Sequence, residues 1–433
     1  MPAQPATRRN PWAWVVSAYL AEGLPYVVVM NVAVVMYKRF GLSDPALTNT
    51  VITYYTGWLY LPWVIKPLWS PVVDILKTRR AWIWVVQIII GGGMAGLALA
   101  LPGARMFQYS MAFFWLLAFS SATQDIAIDG FYLLATTEKE QAFFVGIRST
   151  VYRIAIILGQ GALVILAGHI EKRTGNLPLA WGAGFGLVAG VFALLGMYHA
   201  MVLPYPSGDQ PGNVRSLKVF WGEFFRTFGA FFRKEKIGFL LLFLLFYRFA
   251  EAQLVKMAGP FLLDPREKGG LGLTTEQYGL VYGTVGIAAL MCGGLLGGML
   301  ASRNGLKAWL WWMVLAIHLP DVVFVYLAYA LPQNLWAIGA CVAVEQFGYG
   351  FGFTAYMLYM IYIARGKHAT AHYAICTGFM ALGMMLPGML SGWLEDQIGY
   401  RHFFVWVLLA TIPGFLVVKL IPLDAEFGKK ATA

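Results

Sequence analysis

The sequence predicts an all-α membrane protein: twelve transmembrane helices in two six-helix bundles, with both termini cytoplasmic. Three observations carry this expectation. Of 433 residues, 59% are hydrophobic and only 12% charged, with a mean hydropathy of +0.65, whereas a soluble domain carries about 25% charged residues. Apolar runs of about 20 residues, enough to cross a bilayer core, recur from one end of the chain to the other. The longest polar interruption separates the sixth run from the seventh and divides the chain into 1–203, 204–236 and 237–433. Such a composition excludes a soluble globule. The net charge of +11 reads as loop and headgroup chemistry, not as a nucleic-acid surface.

Spans are expected near 12–37, 51–73, 81–102, 107–130, 142–168, 181–203, 237–262, 277–301, 307–331, 335–363, 370–393 and 401–421. An even number places both termini on one side. With the N-terminus inside, eighteen Lys and Arg fall in inside segments and eight in outside loops, the bias of cytoplasmic ends. The first run contains Glu22 and Pro25, so it is a retained span and not a cleaved signal. Cys292, Cys341 and Cys376 lie within apolar runs without a C-x-x-C pair, so they form no disulfide framework and pack as small apolar residues. No metal and no cofactor are expected.

Residues 204–212 hold three prolines and two glycines, the composition of a flexible linker. Beyond them, Leu217, Phe220, Trp221, Phe224, Phe225, Phe228, Phe231 and Phe232 repeat at helical spacing against Arg215, Lys218, Arg226 and Lys234. Two readings stay open: a helix in the cytoplasmic headgroup layer, or one packed on the bundle faces.

The two halves echo each other. Ala21-Glu22-Gly23 of span one recurs as Ala250-Glu251-Ala252 of span seven. At a similar offset, Ser70 to Asp74 with Lys77, Arg79 and Arg80 corresponds to Gly298, Arg303, Gly305 and Lys307. Parallel six-span repeats are the architecture of major facilitator transporters, with the substrate site at the repeat interface. The loop after span two resembles that superfamily's Gly-x-x-x-Asp-Arg-x-Gly-Arg-Arg signature. Its first copy keeps Asp74 and the trailing basics but not the glycine; its second keeps the glycines and loses the acid.

Ionisable residues inside the spans are costly and point to function. Asp125 and Asp129, four apart in Gln124–Gly130, share one face of span four. Counting equally from the turn near Thr137 sets Asp125 opposite Arg148 or Ser149, so an Asp125–Arg148 pair is expected, either locking the hairpin or gating. Asp129, nearer the cytoplasmic end, is expected at the inward gate. A carboxylate taken out of water without a cation beside it favours its protonated form, which proton coupling requires. Glu22, with no basic residue near it in sequence, is the expected proton carrier, and Glu251, Asp321 and Glu345 are further candidates. Arg153 and Arg248 are the expected anion clamps, with Arg248 and Glu251 spaced to pair along one helix face. Gln124, Gln160, Tyr19 and Tyr247 are candidate substrate contacts, and Tyr54 and Tyr55 also lie deep enough to stack on a ring. His318 and Asp321 bracket Pro320 as a proton relay or a satisfied pair. His368 and His372, four apart, lack the glutamate of a zinc-protease helix. The glycine clusters 91–93, 293–298 and 348–352 let spans pack closely.

The run Ala122-Thr123-Gln124-Asp125-Ile126-Ala127-Ile128-Asp129-Gly130 resembles the fourth-span motif of the peptide/acetyl-CoA/drug transporter branch of the superfamily. Gln141 to Thr150, Tyr152-Arg153, Gly159-Gln160-Gly161 and Glu22-Gly23-Leu24-Pro25 are similar to AmpG-like muropeptide permeases. The resemblance implies an importer of a GlcNAc–anhydromuramyl peptide across a bacterial inner membrane, driven by protons; a monomer is expected. Siderophore, acetyl-CoA or other anionic cargoes fit the same residues, and a membrane enzyme or a non-transporting sensor are readings from other classes. AmpG-type proteins with two extra spans exist; this sequence shows none.

Overall fold

The computed structural model describes residues 9–211, 215–366 and 369–428, apart from the side chains at 71, 72, 74, 75, 138, 142, 145, 215–221, 223, 224, 369 and 370. Among the described residues, nine helical segments are long and apolar enough to cross a membrane. The segment Ala371–Leu420 carries two of the expected passes, because Gly399 turns the backbone with a φ of 73° that favours glycine. Span ten, Leu335–Ala364, and a broken span two complete the expected twelve. By contacts the chain forms two compact units, Met1–Ala33 with Ile65–Glu223, and Val34–Val64 with Phe224–Ala433.

Span one runs over Pro11–Gly41, and the first unit holds it as far as Ala33. Pro25 removes a ladder donor, and a widened π-helical turn follows at Val28–Val32. Span five carries a similar turn at Ile157–Leu163. The two turns meet where Asn31 donates to Gln160 at 2.8 Å and Gly159 leaves room for Val27. Such bulges cost backbone regularity and are common at functional sites. Span three, Arg79–Ala100, begins with orphan amides. Thr78 accepts from Ala81 N at 3.2 Å, and Asp209 accepts from the amides of Arg79 and Arg80 at 2.7 and 2.9 Å. Spans four (Met106–Ala135) and six (Leu177–Val202) complete this unit, and a Thr137–Glu140 capping box starts span five.

Span two is three short helices, Asn49–Trp58, Leu61–Val64 and Lys66–Leu76, interrupted near Pro62 and Pro67. The break at Ile65 coincides with the boundary between units. Its first part therefore belongs to the second unit, where it packs on span eleven; Gly57 faces Met389, and Gly392 faces Asn49 and Thr53.

The linker helix Arg215–Phe232 belongs to the second unit from Phe224 onward, and that unit also holds span seven, Ile237–Leu263, broken at Arg248. Spans eight, Thr275–Asn304, and nine, Leu306–Ala330, follow. Of the two readings of the linker helix, packing on the bundle describes its end. Phe231 is fully buried on Phe379, and Thr227 O contacts His372 at 3.3 Å, while Phe225 stays exposed. Span ten is clamped on two sides by its glycines. A Cβ at Gly348 would meet Ala316 O at 2.0 Å in span nine, and one at Gly350 would meet Leu290 O at 2.0 Å in span eight.

Candidate functional site

In the first unit the charged residues converge on span one. Span one packs against both spans four and five, which touch each other little. Equal counting from the hairpin turn therefore fails, and the expected Asp125–Arg148 pair is not formed. Asp125 is ion-paired with Lys66 of span two, and Arg148 with Asp129 at 3.2 Å. Tyr19 joins the second pair: its hydroxyl donates to Asp129 at 2.9 Å and accepts from Arg148 at 2.7 Å. The guanidinium also lies over the rings of Tyr19 and Tyr132, 5.2 and 5.1 Å from their centroids.

Glu22 is buried at this junction, and its Oε2 has no hydrogen-bond partner. It lies within electrostatic reach of Asp125, Asp129 and Lys66. A close approach of spans one and five delivers it there: a Cβ on neighbouring Gly23 would stand 2.8 Å from Ala155 Cβ. Three carboxylates thus share two cations. Gln124 is fully buried with neither amide atom partnered, and Nη1 of Arg153 and Nε2 of Gln160 are also unsatisfied. Unsatisfied buried polar atoms are rare outside sites that await a partner.

The loop motif ties into the same stretch. Gly130 admits the Arg79 side chain, which a Cβ would meet at 2.5 Å, and Arg79 Nη1 donates to Gly130 O at 3.2 Å. Arg80 donates to Leu203 O at 3.1 Å and lies 3.9 Å over the ring of Tyr205. The side chain of Asp74 and all of His368 lie outside the described residues. In the second copy Arg303 is exposed, and Gly298 has open space around it.

In the second unit Arg248 and Glu251 do not pair. Arg248 sits at the helix break with non-helical φ −111° and ψ 19°, so the three-residue spacing that aligns side chains on a continuous helix does not apply. Instead Arg248 donates to the Tyr349 hydroxyl and lies 4.6 Å over Phe353, with its Nε unsatisfied. Glu251 is fully buried with both oxygens unpartnered, within electrostatic reach of Asp321 and Glu345. Glu345 accepts from Gln346 at 3.0 Å. His318 packs between the rings of Tyr247 and Phe415, and no hydrogen bond joins it to Asp321. The Tyr247 hydroxyl is committed to Gly352 O at 2.9 Å, a packing contact between spans seven and ten. Tyr54 and Tyr55 are partly exposed and pack edge to face on each other.

Sequence reasoning missed three groups. Lys66 and Lys256 are ionisable residues inside apolar runs, so the rule that selected the carboxylates selects them too. The third is a polar network in the second unit. Lys38 pairs with Asp264 at 2.6 Å and donates to Asn49 at 2.7 Å. Asn49 donates to Glu395 at 2.6 Å, and the Tyr400 hydroxyl donates to Asp264 at 2.5 Å. From its place in the sequence, Lys38 reads only as a loop charge.

The Major Facilitator Superfamily pattern matches residues 12–371. The chain belongs to the Major Facilitator Superfamily. Its fold agrees: it superposes on a D-xylose-proton symporter with a TM-score of 0.68 at 12% identity, covering 94% of this chain and 96% of that one. Among named relatives, it is 24% identical over 373 residues to the anhydromuropeptide permease of Escherichia coli, covering 85% of this chain and 72% of that protein. It is 23% identical over 412 residues to putative transporter AmpG 4 of Rickettsia conorii, covering 92% and 93%. Family and fold are those of multi-pass membrane transporters, not of enzymes.

Proposed function

We propose that this transporter imports GlcNAc–anhydromuramyl peptides across a bacterial inner membrane as a proton symporter, with both termini cytoplasmic, and that Glu22 carries the proton. The charge count in the first unit carries the coupling half: Glu22, Asp125 and Asp129 against Lys66 and Arg148. With Asp125 and Asp129 each holding a cation, Glu22 is the acid without one. A proton on Glu22 makes the cluster neutral; its loss leaves one uncompensated negative charge in a dry environment. That charge draws Lys66 or Arg148 away from its partner, so the packing of spans one, two and five follows the proton. The similarity to the Escherichia coli permease supports the cargo. A muropeptide's carboxylates, amides and sugar hydroxyls suit the unsatisfied Gln124, Arg153 and Gln160 of the first unit.

Proteoliposomes holding the purified protein should accumulate the muropeptide under an inward proton gradient and lose that accumulation with a protonophore. Glu22→Gln should keep gradient-free exchange of labelled cargo and lose accumulation at least tenfold. Undiminished accumulation by Glu22→Gln would remove this residue from coupling, and no uptake by the wild type would remove the cargo.

A further inference from the structure

Lys256 lies on span seven, eight residues beyond Arg248. It is 6% exposed, and its Nζ has no hydrogen-bond partner. Lysine is almost never buried unless paired, and the nearest acid on its own span, Glu251, has both oxygens unpartnered as well, so the two do not satisfy each other. What the ammonium does have is an aromatic wall: the ring centroid of Tyr60 is 5.8 Å away. Its methylenes run beside Gly388 of span eleven, where an added Cβ would come within 3.7 Å of Lys256 Cγ. Tyr60 is also within electrostatic reach of Arg248, whose own Nε is unsatisfied and whose other faces are covered by Tyr349, Phe353 and Tyr356. Two cations with unmet donors thus flank one tyrosine; Glu251 lies within electrostatic reach of Arg248 but forms no ion pair with it, and Lys256 has a ring and no acid beside its ammonium. Aromatic faces hold a cation in place; one Arg248 Nη is given to the Tyr349 hydroxyl, while Arg248 Nε and Lys256 Nζ keep donors for an anion.

We propose that Lys256 and Arg248, with Tyr60 between them, form an anion subsite of the second unit that binds a carboxylate of the transported molecule. This deepens the proposed cargo and rests on that proposal for the identity of the molecule carried. Arg248 supplies a planar fork and Lys256 a point charge, so a carboxylate can be held by both without either being deprotonated.

The test uses the full-length protein in detergent and two probes: the tripeptide Ala-Glu-Lys with a free C-terminal carboxylate, and the same peptide with both carboxyls amidated. The acid should raise the melting temperature of the wild type and of Lys256→Arg, and its apparent Kd should weaken at least tenfold in Lys256→Gln. The amide should stabilise none of the three. Ligand-free melting of each variant reports folding separately. Equal stabilisation of wild type and Lys256→Gln by the acid, or stabilisation by the amide as strong as by the acid, would overturn the subsite. In proteoliposomes Lys256→Gln should raise the KM for muropeptide exchange about tenfold and leave the gradient dependence of accumulation unchanged. An unchanged KM with lost accumulation would make Lys256 a coupling residue and overturn the proposal. If the peptide responses depend on Lys256 while no muropeptide enters, the subsite stands and the cargo reading fails.

Discussion

Asp125 is held by Lys66 and Asp129 by Arg148, so two carboxylates one helical turn apart answer to cations on different spans. Taking away one member of a partly buried pair leaves the other with its desolvation cost and no partner. Lys66→Met and Asp125→Asn should therefore each destabilise the solubilised protein by about 1–3 kcal/mol, read from thermal unfolding. The double variant should lie nearer the wild type than the sum of the two losses. Additive losses would show that the pair is not coupled. Which ionisable residues lie within the spans was legible in the sequence, because an acid or base inside an apolar run stands out against its neighbours. Who pairs with whom was not. Asp125 meets Lys66 across 59 residues of chain, and such a distance leaves no trace in local spacing. The spacing argument held only where its premise held, on a continuous helix, and Arg248 sits where the helix is broken.

The elements divide by the kind of signal that breaks or joins them. The kink of span one was readable from Pro25, and the interruptions of span two have Pro62 and Pro67 beside them. The break at Arg248 has neither proline nor glycine at its centre and becomes visible only in the backbone. The glycines of span ten were readable as close-packing positions, and the structure adds that they face two different neighbours. Gly350→Ala has no flexible side chain to displace, since the added methyl meets the carbonyl of Leu290. Overpacking of that kind costs about 1–3 kcal/mol. The variant should melt earlier than wild type, whereas Gly298→Ala, in open space, should not. Equal melting of Gly350→Ala and Gly298→Ala would contradict the packing described for span ten.

At the scale of the molecule, composition and run length made the helical membrane fold plain. The grouping of Val34–Val64 with the second unit was hidden, since the chain is cut there by contacts and not by any polar linker. The network of Lys38, Asn49, Asp264, Glu395 and Tyr400 holds that segment in place. Removing Lys38 leaves the buried carboxylate of Asp264, 2% exposed, without its counter-charge. In Lys38→Met, amide hydrogen exchange in the helix Asn49–Trp58 should quicken by at least tenfold, while exchange in span three stays as in wild type. Unchanged exchange at 49–58 would mean that the network does not hold the segment.

That network also sets a clock for biosynthesis. Asn49 emerges from the ribosome 215 residues ahead of Asp264 and 351 ahead of Tyr400, to whose hydroxyl it also donates. At about 5–20 residues per second, the segment waits roughly 20 to 70 seconds for its last partner. During that time Lys38 and Asn49 must stay at the membrane–water boundary, where water serves both. The second unit can close only after its last two spans have been made, so its final contacts form at the end of translation.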